Sequence, residues 1–209
     1  SVGEIMSIGQ SIEEIMQKGL RMIGQGMHGF VGNNDVEFED LDKELSHPTD
    51  LRIFAIAQAL EKGYTPERIE ELTKIDLFFI IKLKNIVDYT KVLAQYNKIE
   101  ELPVDVLKEA KRLGFSDFQI ARYVENPQDT MEKGLLAVRA HRKKNGVVPT
   151  VRRINTVASE HPELTNYLYM TYGKDEHSIS YEYKNDKNII VLGSGAYRIG
   201  SSVEFDWCS

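Results

Sequence analysis

Five residues near the carboxyl end, Asn188-Ile189-Ile190-Val191-Leu192, constrain this chain more than any other segment: a short apolar, β-branched run that flows into Gly193-Ser194-Gly195. A buried strand enters a Gly-rich turn of an α/β unit in this way. Such a strand must pair along its edges and be covered on both faces, and nothing between it and Ser209 supplies neighbouring strands or crossover helices. The run is therefore expected to be the first strand of an α/β unit completed elsewhere. The opening Ser1-Val2-Gly3-Glu4 likewise reads as a cut through a longer polypeptide.

Before that run the chain reads as mainly α. Ser11 and Glu14 form a capping box ahead of Ile12, Ile15, Met16 and Leu20 at helical spacing. Gly24, Gly26, Gly29 and Gly32 then punctuate a polar stretch to Glu39, read as a loop or unit limit. Helical spacing resumes from Thr49 through Leu51, Phe54, Ala57 (or Ile53) and Leu60, and Gly63 stands where a helix stops. Thr65 suits an N-cap and Pro66 a first helical position, with Ile69 and Leu72 on the buried side. After the cap Asp76, the residues Phe78, Phe79, Ile81, Leu83, Ile86, Val87 and Leu93 wrap more than one face, which predicts a central helix buried against several neighbours.

The device Leu60-Glu61-Lys62-Gly63-Tyr64-Thr65 is echoed by Lys111-Arg112-Leu113-Gly114-Phe115-Ser116, with Ile69 and Leu72 answered by Ile120 and Tyr123. Ser116 and Gln119 form another capping box. Two copies of a helix–Gly–aromatic–cap–helix unit predict duplicated helical hairpins within one compact helical domain, since a solenoid needs about three or more repeats. A last helix is expected from Met131, capped by Thr130 and stopped at Gly146. Residues 166–172 read as extended or irregular chain, and 173–188 as a linker. The expected units are 1–30, 31–180 and 181–209.

With Lys plus Arg at 26 against Asp plus Glu at 32 and a net charge of -6, a general polyanion binder is disfavoured, and no nucleic-acid partner is expected. No apolar run approaches the roughly 20 residues that span a bilayer, so no membrane partner is expected either. The lone Cys208 has no mate for an internal disulfide.

Chemistry-bearing patterns are sparse. Gly193, Gly195 and Gly200 lack the third-glycine spacing of a dinucleotide fingerprint, and no Gly-Lys-Ser/Thr makes a phosphate loop. His28, His47, His141, His161 and His177 show no ligand spacing, so no metal site is expected, and no nucleophile set marks a catalytic residue. Arg139, His141, Arg142, Lys143 and Lys144, near Arg152 and Arg153, read as a helix C-terminus stabilised by cations, solvated or docked on an acidic partner. Tyr167, Tyr169 and Tyr172 read as interface packing. Arg198 and Glu204 stand just past the expected strand, where α/β folds place ligands; a surface ion pair is the competing reading.

The stretch Val191-Leu192-Gly193-Ser194-Gly195-Ala196-Tyr197-Arg198-Ile199-Gly200-Ser201-Ser202-Val203-Glu204-Phe205-Asp206-Trp207-Cys208 closely resembles the start of the second half of the carbamoyl-phosphate synthetase large chain, in its eukaryotic form. Ser1-Val2-Gly3-Glu4-Ile5-Met6-Ser7-Ile8-Gly9 resembles the close of that family's first ATP-grasp half. Leu164-Thr165-Asn166-Tyr167-Leu168-Tyr169-Met170-Thr171-Tyr172 and Lys74-Ile75-Asp76-Leu77-Phe78-Phe79 resemble its middle helical region. The resemblance implies that residues 1–30 end the first half, that 31–180 form a helical oligomerisation and connecting domain, and that 181–209 begin the second half with the first strand of a pre-ATP-grasp domain.

It implies a parent ligase making carbamoyl phosphate from bicarbonate, ammonia or glutamine, and two ATP with Mg or Mn. This fragment would be inactive alone and hold no cofactor. Implied partners are the rest of the synthetase chain, a glutamine amidotransferase subunit or domain, and further copies in a homo-oligomer. The parent would be cytoplasmic or, alternatively, mitochondrial, and would serve arginine, urea or pyrimidine synthesis. In the family an Arg and a Glu of the Arg-Ile-Gly…Glu-Phe segment line a carbamate passage. They match Arg198 and Glu204, while Ser202 replaces a glycine of the bacterial pattern. The alternative is an independent helical adaptor whose duplicated hairpins bind a protein.

Overall fold

The structure, a computed structural model, describes residues 4–23, 26–33, 37–125, 131–155, 160, 167–179 and 189–193. The described chain is mainly α, with helices α1 (Ile12–Met22), α2 (Leu41–Ser46), α3 (Arg52–Glu61), α4 (Pro66–Thr73), α5 (Leu77–Leu93), α6 (Val104–Arg112), α7 (Asp117–Glu125) and α8 (Met131–Lys144). A 3-10 turn at Ile99–Glu101 precedes α6, and strands β1 (Thr150–Arg153) and β2 (Leu168–Thr171) pair antiparallel with Thr150 opposite Thr171 and Arg153 opposite Leu168.

Local chemistry sets most helix ends. Ser11 caps α1 by accepting from the Glu14 N–H at 3.2 Å, but the Glu14 carboxylate reaches back to the Gln10 N–H at 2.7 Å, one residue earlier than a standard capping box. Thr65 accepts from the Arg68 N–H at 3.2 Å to start α4 behind Pro66. Ser116 and Gln119 complete both halves of their box, at 3.1 and 3.0 Å.

Both hairpins, α3–α4 and α6–α7, turn through the same left-handed glycine motif. Tyr64 N–H donates to Ala59 O and Gly63 N–H to Leu60 O; Phe115 and Gly114 make the matching bonds to Ala110 and Lys111. The motif recurs after α8, where Val147 donates to Arg142 O and Gly146 to Lys143 O. Here a strand follows instead of a helix, because Pro149 biases the residue before it to extended backbone.

One apolar core binds these elements. Ile69 and Ile120, the matching positions of the two hairpins, are fully buried, as are Leu45, Ile80, Ile86, Leu93 and Leu107. Burying a side chain of this size stabilises by roughly 1.5–3 kcal/mol. Leu20, Phe30 and Val31 belong to the same cluster, so packing runs continuously across the expected unit limit near residue 30. The six-residue α2, too short to show a helical period, was not anticipated; Asp40 caps it.

Two expectations are corrected. The central helix α5 packs on α1, α3, α4 and α7, but through one stripe of Ile80, Leu83, Ile86, Val87, Thr90 and Leu93. Phe78, Phe79 and Ile81 are 51%, 46% and 44% exposed, because α5's neighbours gather on that stripe and leave its amino-terminal outer side uncovered. Residues 173–179, read as linker, run along β1: Ser178 N–H donates to Val151 O at 3.1 Å and Arg153 N–H to Ser178 Oγ at 2.6 Å. They supply hydrogen bonds that a two-stranded ribbon leaves open on its outer edge. Ile189, Ile190, Val191 and Leu192, expected to find their sheet outside this helical unit, are 90%, 86%, 67% and 87% exposed. No described strand lies beside them, and without ladder partners an apolar β-branched run gains nothing from extension.

Candidate functional site

The polar side of α1 is the buried one. Glu13, Glu14 and Gln17 are 5%, 2% and 0% exposed, while Ile12, Ile15 and Met16 are only half-buried. A buried carboxylate needs several donors to survive desolvation. Glu14 has them: Gln10 N–H, Thr171 Oγ1 at 2.9 Å and Lys18 Nζ at 2.6 Å. Lys18 also donates to Ile8 O and Met170 O, tying α1 to β2. Gln17 Oε1 accepts from Phe30 N–H at 2.8 Å and from Gln119 Nε2 at 3.1 Å, and Gln119 Nε2 reaches Val31 O at 2.8 Å.

The α6–α7 turn docks onto this side of α1. A Cβ on Gly114 (φ 85°) would lie 2.9 Å from the Glu14 Cα, so only glycine permits both the turn and the approach. Arg21 Nη1 donates to Gly114 O at 2.8 Å and more distantly to Gln119 Oε1 at 3.4 Å.

Beside the turn lies a cluster of buried charges. Lys111 Nζ donates to Phe115 O and to Asp117 Oδ1, both at 2.8 Å, and Arg142 Nε grips both oxygens of Asp117 at 3.1 and 2.9 Å. Both cations lie over the Tyr172 ring, at 5.0 and 5.9 Å. Burial lowers the Lys111 ammonium to about 8 against the pull of Asp117, and the positive charges of Arg142 and Arg21 lower it further. Burial would raise the Asp117 carboxyl, but Lys111 and Arg142 outweigh it and hold it below its ordinary value. Burial also lowers Arg21, to about 10, opposed by the charge of Glu14.

A cavity of about 320 Å³ opens among α1, the α6–α7 turn, α8 and Tyr172, lined by Glu14, Lys18, Arg21, Lys111, Asp117 and Arg139. A second surface is apolar: Phe78 and Phe79 pack edge to face with ring centroids 5.3 Å apart, beside exposed Ile81. Grouped exposed apolar side chains of this kind mark contact surfaces.

Arg198, Ser202 and Glu204 lie outside the described residues. The basic stretch divides: Arg142 is drawn into the charge cluster, His141 Nε2 meets Leu102 O at 3.1 Å, and Arg139, Lys143 and Lys144 stay exposed. The tyrosines divide too. Tyr172 roofs the cluster, the Tyr169 hydroxyl pairs with Gln10 Nε2, and Tyr167 is 65% exposed. Sequence reasoning missed Glu14, Lys111 and Asp117 as a polar centre, although Glu14 was visible as a cap residue. Their partners lie as far away as Thr171, which no local spacing announces.

A family model described as carbamoyl-phosphate synthetase large chain, oligomerisation domain, matches residues 4–146, and one described as carbamoyl phosphate synthase preATP-grasp domain matches residues 185–209. The chain is similar to Multifunctional protein URA2 of Saccharomyces cerevisiae, 46% identical over all of this chain and 9% of that protein. It is 48% identical to the mitochondrial arginine-specific carbamoyl phosphate synthase large chain of Neurospora crassa, over all of this chain and 17% of the relative. It is 46% identical to Multifunctional protein CAD of Squalus acanthias, over all of this chain and 9% of the relative. The chain thus spans less than a fifth of the length of these relatives.

Proposed function

Since the chain belongs to the carbamoyl-phosphate synthetase large-chain family by its oligomerisation domain, we propose that it is the assembly and connecting region of a synthetase of that kind. The match over residues 4–146 carries this reading. The uncovered Phe78, Phe79 and Ile81 support self-association, since apolar area grouped on one helix face is stabilised by leaving water. The whole enzyme would be an ATP-dependent ligase making carbamoyl phosphate from bicarbonate and from ammonia or glutamine, with two ATP and Mg or Mn. Its partners would be the rest of its own chain, a glutamine amidotransferase subunit or domain, and further copies. Its place would be the cytoplasm or, as in the Neurospora relative's name, the mitochondrion.

The chain by itself is expected to assemble and not to turn over ATP. Sedimentation across a concentration series should show dimers or larger species, and Phe78→Asp with Phe79→Asp should return the monomer. A monomer at every concentration, or stoichiometric ATP hydrolysis by the pure chain, would sink the reading. Arg198, Ser202 and Glu204 belong in this proposal as lining of a carbamate passage, where a guanidinium orients the anion and closure keeps out water. Arg198→Ala in the full-length enzyme should slow overall synthesis while each ATP-dependent partial reaction persists; unchanged overall synthesis would remove that role.

A further inference from the structure

Four cations and two carboxylates line the cavity between α1 and α8, and the carboxylates are already engaged. Glu14 holds Lys18 at 2.6 Å, and Asp117 holds Lys111 at 2.8 Å while also serving Arg142. Two positive charges remain in the wall. Arg21 spends only Nη1, on Gly114 O and Gln119 Oε1, and its Nε and Nη2 have no hydrogen-bond partner among the described residues. Arg139, on α8 across the cavity, has no hydrogen-bond or ion-pair partner among them and is exposed at the mouth.

We propose that this cavity is a binding site for a phosphate-type dianion, held between the guanidinium groups of Arg21 and Arg139. A guanidinium pairs with tetrahedral oxyanions through parallel N–H donors, and two of them in one wall match a charge of about -2. Arg21 is half-buried in the wall of this cavity, so an anion there would accept from donors that no described protein group uses. Burial lowers the Arg21 guanidinium to about 10 and the charge of Glu14 opposes it, and a bound anion would raise it again. The space, about 320 Å³, admits either inorganic phosphate or the head of a phosphate monoester. The site goes beyond the assembly role, and its occupancy does not depend on self-association.

Inorganic phosphate is the probe, titrated into the chain against sodium chloride at equal ionic strength while thermal unfolding and calorimetric heat are followed. Phosphate should raise the unfolding temperature saturably where chloride does not. Arg139→Gln, an exposed position without structural duties, should weaken phosphate at least about tenfold, and Lys143→Gln on the same helix should leave it unchanged. Arg21→Gln should weaken it as well, but Arg21 also holds the α6–α7 turn, so the Arg139 variant decides. Tighter binding of glycerol 3-phosphate than of phosphate would support a monoester ligand, and equal or weaker binding would support the free ion. Equal responses to phosphate and chloride, or equal phosphate affinity in the Arg139 and Lys143 variants, would overturn the proposal.

Discussion

The two helical hairpins share a turn and differ in what the turn faces. In the α3–α4 copy a Cβ on Gly63 (φ 90°) would meet nothing within 4 Å, and in the α6–α7 copy one on Gly114 would strike the α1 backbone. Where the first has Leu60, Pro66 and Arg68, the second has Lys111, Asp117 and Gln119. Arg68 makes surface ion pairs with Asp42 and Glu71 at 2.7 Å, and Gln119 is fully buried against Gln17 and Val31. One local device therefore serves once as a plain helix reversal and once as the anchor of a buried polar centre.

Asp117 should show the contrast most strongly. Asp117→Ala leaves Lys111 and Arg142 buried without their carboxylate and should cost about 4 kcal/mol in urea unfolding. Arg68→Ala, the surface counterpart, should leave the midpoint where it was. If the two variants unfold together, the buried cluster is not what distinguishes the copies.

Next in size is the glycine pair. Gly63→Ala should cost about 1 kcal/mol, the ordinary penalty for a left-handed alanine. Gly114→Ala should cost about 3 kcal/mol, since α1 must also move away. Equal losses by thermal unfolding would mean that α1 does not bear on the turn.

The smallest effect is a pH slope. Folded Lys111 loses its proton near 8, below the lysine value of about 10.4 in an unfolded chain. Between those values the unfolded chain holds the extra proton, so this group makes stability rise with pH. Tyr89, Tyr123 and Tyr172, held above their ordinary value chiefly by burial, act in the opposite sense above about pH 10 and close the window there. Between about pH 8 and 10 the unaltered chain should gain about 2 kcal/mol relative to Lys111→Met. A parallel pH course for the two would show that Lys111 is not desolvated.

Ser11, Thr65, Asp76 and Ser116 were legible as caps and Gly63, Gly114 and Gly146 as stops, because each acts on backbone groups within a few residues. The apolar spacing found the α5 core stripe but overstated its cover, since hydropathy says that a side chain gains from burial and not whether a neighbour is present. Arg198, Ser202 and Glu204 were read by family resemblance and lie outside the described residues.

By itself the sequence determined a mainly α chain with a repeated hairpin and its family, since caps, glycine stops and motifs are short-range patterns. Only the tertiary structure decided that the polar face of α1 is the buried one. Glu14 meets Thr171 and Gln17 meets Gln119 across 157 and 102 residues of chain. Whether a carboxylate or an amide is buried depends on which distant donors arrive beside it, and that is a property of packing.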